Sequence, residues 1–437
     1  MAAAGGTTRT APASPSGAVR LRFGRAEVEV HPGPGRFLGR LAPRHVPGLA
    51  DPESAVLGSL RAPIGSAPLR DLARGGRTAA ILISCRTRTT RSDVFVKVIA
   101  DELNAAGIPD EGITVYLATG THVKQDAEDM RVLLGQEAFA RLRWVAHDPK
   151  DRGNLVSLGV TSLGTPIWVN RAVYESDVKV LTGRVTHHYF AGFSGGRKAI
   201  APGVSGLETI LANHRRVMRR EGGGRDPAVY AGSLERNPIH LDMLEVAHAA
   251  APSFCLNTVL NADEQITHVF GGHFVQAHLA GCAVVESLFR CPVPERADLV
   301  LASCGGWPGD ISFMQAVKTI VSAERAVRDG GVLVVFAQCE RGLEPGFREW
   351  FAHPSLQELN RAVLAHYNLK GHNSYWVREI QQRIRIVLVS SLPDADACAL
   401  GMVPAGGPED AVRMAGALVG GAPSILAVPH GNVTVFS

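Results

Sequence analysis

The sequence predicts an α/β fold of two domains with largely parallel sheets and a ligand cleft between them, and three observations carry that reading. The chain has 437 residues, more than one hydrophobic core usually organises. Short, nearly unbroken apolar runs alternate with stretches of helical period, as buried parallel strands and their crossover helices do. Several of those runs break directly into polar loops, and the carboxyl ends of parallel strands form the rim where open sheets bind ligands.

Residues up to about Gly17 (MAAAGGTTRTAPASPSG) are small and polar and read as a disordered tail, without the continuous apolar segment of a secretory signal. Val19–Val30 alternates as a strand or hairpin before the HPGPG turn, and ADPESAVLGSL reads as a helix capped near Asp51, leading to the loop RAPIGSAPL. Thr78–Ser84 (TAAILIS) is a buried strand that ends in CRTRTTRSD, and a helix follows over Val94–Ala106. The strand Ile113–Ala118 ends in TGTH, with a polar helix from about Gln125, and the strand Val178–Leu181 ends in TGRVTHHYFAGFSGGRK. These elements place an N-terminal catalytic and cofactor domain over 18–290 and a C-terminal α/β domain over 291–419.

In the second domain Ala297–Ala302 reads as a strand, CGGWPGD as its loop, Ile311–Arg328 as a helix and Gly331–Ala337 as the next strand. The last segment, SILAVPHGNVTVF, reads as paired short strands over Ser424–Phe436, and residues 420–437 are expected to complete the first domain.

Composition narrows the function. Hydrophobic residues make up 46% of the chain and charged residues 20%, enough for a sizeable core. Lys+Arg 45 against Asp+Glu 41 leaves +4, too little to argue for nucleic acid, and no segment is long and apolar enough to span a membrane. The seven cysteines are scattered without a C-x-x-C pair and read as reduced thiols. A cytoplasmic enzyme acting on a small molecule follows as the expectation.

The chemistry concentrates in HHYFAGFSGGRKAIAPGVSGLETILANH, from His187 to His214. Gly192, Gly195 and Gly196 allow close approach of backbone to a ligand, or else serve a tight strand-to-helix turn. Lys198 is followed by Ala199 where a nucleotide-binding P-loop needs Ser or Thr, which weighs against a phosphotransferase. His122 and His188, each just past a strand, offer two bases from different loops, and two bases on opposite sides of one carbon suit a racemase or epimerase. His187 competes with His188, because adjacent side chains commonly point apart. His214, on the helix after the loop, is a candidate metal ligand. Arg88, Gln315 and Lys318 suit an anionic substrate, with Gln315 and Lys318 three apart on one helix face. Arg86 and Arg91 read as surface charges, and Cys85 as a small buried thiol.

Taken together, THHYFAGFSGGRKAIAPG with ETILANH, supported by ATGTH and by GWPGD with QAVK, resembles the nickel-pincer lactate racemase family of 2-hydroxyacid racemases and epimerases. The resemblance runs from PIGSAPL to the closing VPHGNVTVF. It implies a nickel-pincer nucleotide, the pyridinium-3,5-bisthiocarboxylic acid mononucleotide of nickel, covalently attached at Lys198, with His214 as protein ligand to the metal. It implies His122 and His188 as acid/base pair, choosing His188 over His187 by spacing to the lysine, with hydride transfer to and from the cofactor. It also implies Cys85 and Arg88 as cofactor contacts beside Lys198 and His214, and Arg88, Gln315 and Lys318 as the hold on substrate. A small 2-hydroxy acid and cofactor-maturation proteins are the implied partners. A non-catalytic binding protein of the same fold is the rival expectation. Two positions depart from the family pattern: Cys85 stands where Asp is common, altering a cofactor or substrate contact, and Met314 stands where lactate racemase itself has Tyr.

Overall fold

The computed structural model describes residues 17–122, 125–219 and 221–436, so the expected tail lies, as far as residue 16, outside the described residues. The chain divides into two compact units. A central unit holds His45–Val217 and Asp226–Ser287; a terminal unit holds Met1–Arg44, Met218–Arg225 and Leu288–Ser437.

The central unit is built on a six-stranded sheet in the order Ile266–Gly272, Phe254–Leu260, Val178–Arg184, Ala79–Ser84, Ile113–Ala118, Arg143–Ala146. Every neighbouring pair is parallel except the edge strand Ile266–Gly272. The strand AAILIS is buried on both faces, which explains why it reads as a continuous apolar run rather than an alternation. Helix Ser92–Ala105 covers one face through Phe95, Ile99 and Leu103, and helix Ala127–Arg141 adds Met130 and Leu134 to the same core. Asp51 caps helix Pro52–Arg61 by accepting from Ser54 N at 2.9 Å.

Chain order fixes where this sheet opens. The strand Ala79–Ser84 is followed by neighbours on one side, Ile113–Ala118 and Arg143–Ala146, and then the chain crosses to build Val178–Arg184 on its other side. The loops leaving Ala79–Ser84 and Val178–Arg184 therefore diverge, and the gap between them is the switch point where a doubly wound sheet accepts a ligand.

The terminal unit has its own six-stranded parallel sheet, in the order Val403–Ala405, Arg385–Val389, Val327–Phe336, Ala297–Ser303, Ser424–Val428, Arg36–Arg40. Here the structure departs from the sequence reading. Ser424–Val428 does not pair with the strand after it; it inserts between Ala297–Ser303 and Arg36–Arg40, and Val435–Phe436 pairs instead with Arg290–Cys291. Residues 420–437 thus group with the C-terminal half rather than completing the first domain, and it is the segment up to Arg44 that crosses over to join them. The reason is pairing at a distance: Arg36–Arg40 finds its backbone partner nearly four hundred residues later, a match no local pattern encodes.

The helix expected to reach Arg328 ends at Ala323; a 3-10 turn follows over Glu324–Ala326, and the strand starts at Val327, which is fully buried and pairs with Ala297. The expected loop RAPIGSAPL runs into a short helix, Leu69–Leu72, anchored by buried Leu69. No helix among the described residues is long and apolar enough to cross a membrane.

Candidate active site

Three loops at the carboxyl edge of the central sheet carry the candidate residues of that unit, and backbone bonds tie them together. The TGTH loop after Ile113–Ala118 is a turn closed by His122 N–H donating to Thr119 O at 3.0 Å, with Thr119 Oγ1 donating to His147 O at 2.8 Å. Gly120 N–H donates to Gly203 O at 2.9 Å, joining that loop to the segment that bears Lys198. The loop after Ala79–Ser84 is tied to its neighbour by Gln125, whose side-chain oxygen accepts from Arg86 N at 3.2 Å.

Within this frame one cluster forms around His122. Cys85 Sγ lies 3.0 Å from His122 Nδ1, Thr87 Oγ1 lies 3.4 Å from the same nitrogen, and Arg88 Nη2 lies 3.4 Å from Nε2. His122 is exposed and Arg88 half-buried, whereas Cys85 is buried. Arg86 pairs with Asp129 at 2.5 Å and Arg91 with Asp93 at 3.1 Å, so the two arginines read as ordinary charges make local ion pairs.

A second cluster surrounds Phe190. Its ring meets His188 edge-on with centroids 4.4 Å apart, meets His214 edge-on at 5.1 Å, and has Lys198 Nζ 5.4 Å from its centroid. An amine and two imidazoles from three different elements thus converge on one buried aromatic ring. The amine side is favoured by the negative π-face of the ring. Phe190 was passed over in the sequence reading; its position two residues after His188 was the available signal.

His187 and His188 part company as adjacent residues of an extended segment do. His187 is buried, stacks on Phe193 at 4.9 Å and places Nε2 2.8 Å from Glu286 Oε2. His188 turns the other way, accepting Ala191 N–H at Nδ1 (3.3 Å) and joining the Phe190 cluster.

Three amides of the glycine-rich loop are engaged within the protein. Gly196 N–H donates to Asn257 Oδ1 at 2.9 Å, Lys198 N–H to Gly195 O at 3.1 Å and Ser194 N–H to Thr186 O at 2.9 Å. The turn is what the glycines serve: Gly192 has φ +75° and its missing Cβ would stand 2.0 Å from Ser233 O, while Gly195 has φ +79° with Asn257 Oδ1 in the way at 2.8 Å. Arg197 is a clamp rather than an anion receptor. It is 1% exposed and donates to Ala191 O at 2.9 Å and Phe193 O at 3.1 Å, with Nη1 3.0 Å from His278 Nε2. Burial pulls its guanidinium down to about 10; burial and the nearby cation together hold His240 at about 3 and His278 well below the usual imidazole range. Burial pushes the Cys282 thiol up to about 12, so it stays protonated.

His214 closes helix Leu207–His214, and the residue before it anchors the helix. Asn213 donates to buried Asp242 at 2.8 Å, which also accepts from Thr161 at 2.6 Å and Thr165 at 2.8 Å and faces Arg216 at 3.3 Å. This network was not visible in the sequence, because its members are spread from 161 to 242.

In the terminal unit, Gln315 and Lys318 share a face of helix Phe313–Ala323, with Lys318 Nζ donating to Gln315 Oε1 at 2.5 Å. Met314 Sδ accepts from Asn373 Nδ2 at 3.1 Å.

Comparison with known proteins places the chain in a family. Residues 23–224 match the model of the lactate racemase N-terminal domain and residues 293–436 that of the lactate racemase C-terminal domain. The chain is 31% identical to the lactate racemase of Thermoanaerobacterium thermosaccharolyticum over 386 residues, 87% of this chain and 89% of that one. It is 31% identical to the lactate racemase of Lactiplantibacillus plantarum over 380 residues, 85% of this chain and 88% of the other. The structure of the lactate racemase apoprotein from T. thermosaccharolyticum superposes with a TM-score of 0.88 at 28% identity, covering 96% of this chain and all of that one. A Thermotoga maritima protein shares the fold with a TM-score of 0.68 at 17% identity, covering 89% of this chain and 99% of the other.

Proposed function

This chain belongs to the lactate racemase family of isomerases, and from that premise we propose that it inverts the C2 centre of a small 2-hydroxy acid with His122 and His188 as the paired acid and base. The convergence of His188, Lys198 and His214 on Phe190 is the observation that carries the reading.

The donor set fits a nickel-pincer nucleotide. Among the described residues no group of three or more His, Cys, Asp or Glu side chains stands placed to hold a metal ion. A pincer that brings carbon and sulfur asks the protein for one imidazole and one amine. His214 and Lys198 stand at the same ring and would supply them, Lys198 as the covalent attachment and His214 as the ligand to nickel. When bound, such a group supplies a reversible acceptor for the hydrogen on C2.

The rest of the chemistry belongs to side chains. Arg88 has the planar fork that pairs with a carboxylate, and Gln315 and Lys318 are proposed to hold the substrate's polar groups as well. One histidine takes the hydroxyl proton as C2 becomes planar, and the other returns a proton when C2 is rebuilt with inverted configuration. Because each imidazole serves as acid in one direction and base in the other, the same site runs both ways. Cofactor-maturation proteins are the proposed partners.

The test is to co-express the chain with such maturation proteins, measure nickel content and intact mass, and follow a panel of chiral 2-hydroxy acids by chiral chromatography. The expected result is an adduct that disappears in Lys198→Ala, together with interconversion of the enantiomers of at least one acid. A loaded, nickel-containing protein that binds such acids without interconverting any would establish the binding-protein alternative instead.

A further inference from the structure

His122 is gripped at both ring nitrogens by the loop that leaves strand Ala79–Ser84. Arg88 Nη2 lies 3.4 Å from Nε2, and a guanidinium has donors only, so the nitrogen that faces it presents its lone pair. In the neutral ring the proton then sits on Nδ1, 3.0 Å from the sulfur of Cys85. That sulfur lies 3.2 Å from Thr87 Oγ1, which also receives Arg88 Nη1 at 3.4 Å. A thiol that accepts from His122 Nδ1–H sits beside the Thr87 hydroxyl, with which it can also share a hydrogen bond. Cys85 is 2% exposed and stands directly at the end of a buried strand, so its sulfur is held in place. Cys85 belongs to the hydrophobic core of the central unit, and its sulfur also reaches an imidazole nitrogen and a hydroxyl, contacts that packing alone does not require.

We propose that Cys85 is a positioning residue for His122: its sulfur takes the Nδ1 proton and fixes the tautomer whose Nε2 lone pair faces the place where Arg88 now donates and a substrate hydroxyl would donate. The inference rests on the acid/base role proposed above for His122. The step balances: the hydroxyl O–H bond breaks, an N–H bond forms at Nε2, and the ring becomes an imidazolium that still donates from Nδ1 to sulfur until the proton is returned. Among the described residues, the charged groups around it include Arg88 at Nε2 and the Arg86–Asp129 pair beside the same loop. A thiol offers the imidazolium an acceptor without the full negative charge of a carboxylate, so the proton is given back more readily.

Long-range 1H–15N correlation spectra of the full-length protein labelled at histidine read the tautomer without needing cofactor or turnover; the His122 signals are assigned by their loss in His122→Gln. The expected result is the Nδ1–H form in wild type and in Cys85→Ser, and a tautomer mixture in Cys85→Ala. In Cys85→Asp the titration midpoint of His122 rises by about 1 pH unit or more, as a neighbouring carboxylate dictates. In the loaded enzyme the acidic limb of kcat/KM moves up with it. An Nε2–H tautomer in wild type, or the same tautomer and midpoint in the Ser, Ala and Asp variants, overturns the proposal. Loaded wild type that shows the Nδ1–H tautomer but no racemisation supports the Cys85–His122 contact and overturns the function proposed for the site, which keeps the two failures apart.

Discussion

The Lys198 ammonium stands over the face of Phe190, with Nζ 5.4 Å from the ring centroid. A lysine so placed is drawn to the negative face of the ring by about 0.5–2 kcal/mol, enough to bias a flexible four-carbon stem toward one direction. Phe190→Leu, which roughly conserves volume, is expected to cost less than about 1.5 kcal/mol in chemical denaturation. Adduct formation at Lys198, followed by intact mass, is expected to slow markedly in the same variant. Wild-type loading kinetics in Phe190→Leu would show that the ring has no part in presenting the amine.

The two adjacent histidines are expected to respond differently to the same change. His188→Gln removes a proposed acid/base group and should lower turnover about 100-fold or more. His187→Gln, which alters the contact with Glu286, should keep turnover within about tenfold of wild type and show its effect in stability, on the order of 1–3 kcal/mol. Steady-state rates and urea midpoints measured side by side decide this, and the reverse ranking would reassign the base to His187.

Buried neutral imidazoles make the central unit sensitive to acid. His240 is held at about 3 and His278 well below its ordinary value by burial and the nearby Arg197, and His147 is lowered mainly by burial. Above about pH 6.5 these rings are neutral in both folded and unfolded chains and contribute no pH dependence. Between about pH 6.5 and 3 the unfolded chain binds protons that the folded one refuses, so stability falls as pH falls. The melting temperature is expected to decline through that window, and less steeply in His278→Gln. Equal slopes for the variant and wild type would remove His278 from the account.

Asp242 gathers Thr161, Thr165, Asn213 and Arg216 around one carboxylate with no solvent exposure, and Asn213 sits beside His214. Asp242→Ala leaves Arg216 and three polar side chains without that acceptor and is expected to cost about 3–5 kcal/mol. Asp242→Asn keeps the shape and should cost less. Hydrogen exchange should show faster opening of helix Leu207–His214 in the Ala variant; unchanged protection there would mean the helix is anchored by other contacts.

Much of the sheet architecture was legible in the sequence because doubly buried strands leave a signature that needs no partner to be seen. The strands Ala79–Ser84, Ile113–Ala118 and Val178–Arg184 are short apolar runs ending in polar loops, and the structure places them side by side in one parallel sheet. The candidate residues were legible as types at strand ends. Their partners were not: nothing in the local pattern singles out Phe190, Arg197 or Asp242.

By itself the sequence determined the α/β class, the positions of the loops and the family to which the chain belongs, since these depend on residue type and order along the chain. Only the tertiary structure decided that His187 turns to Glu286 while His188 turns to Phe190, that Cys85 meets His122 Nδ1, and that Arg36–Arg40 pairs with Ser424–Val428. Each of these is a contact between residues brought together by folding. Hydrogen bonds and ring contacts act over a few ångströms of space, and spacing along the chain does not report them.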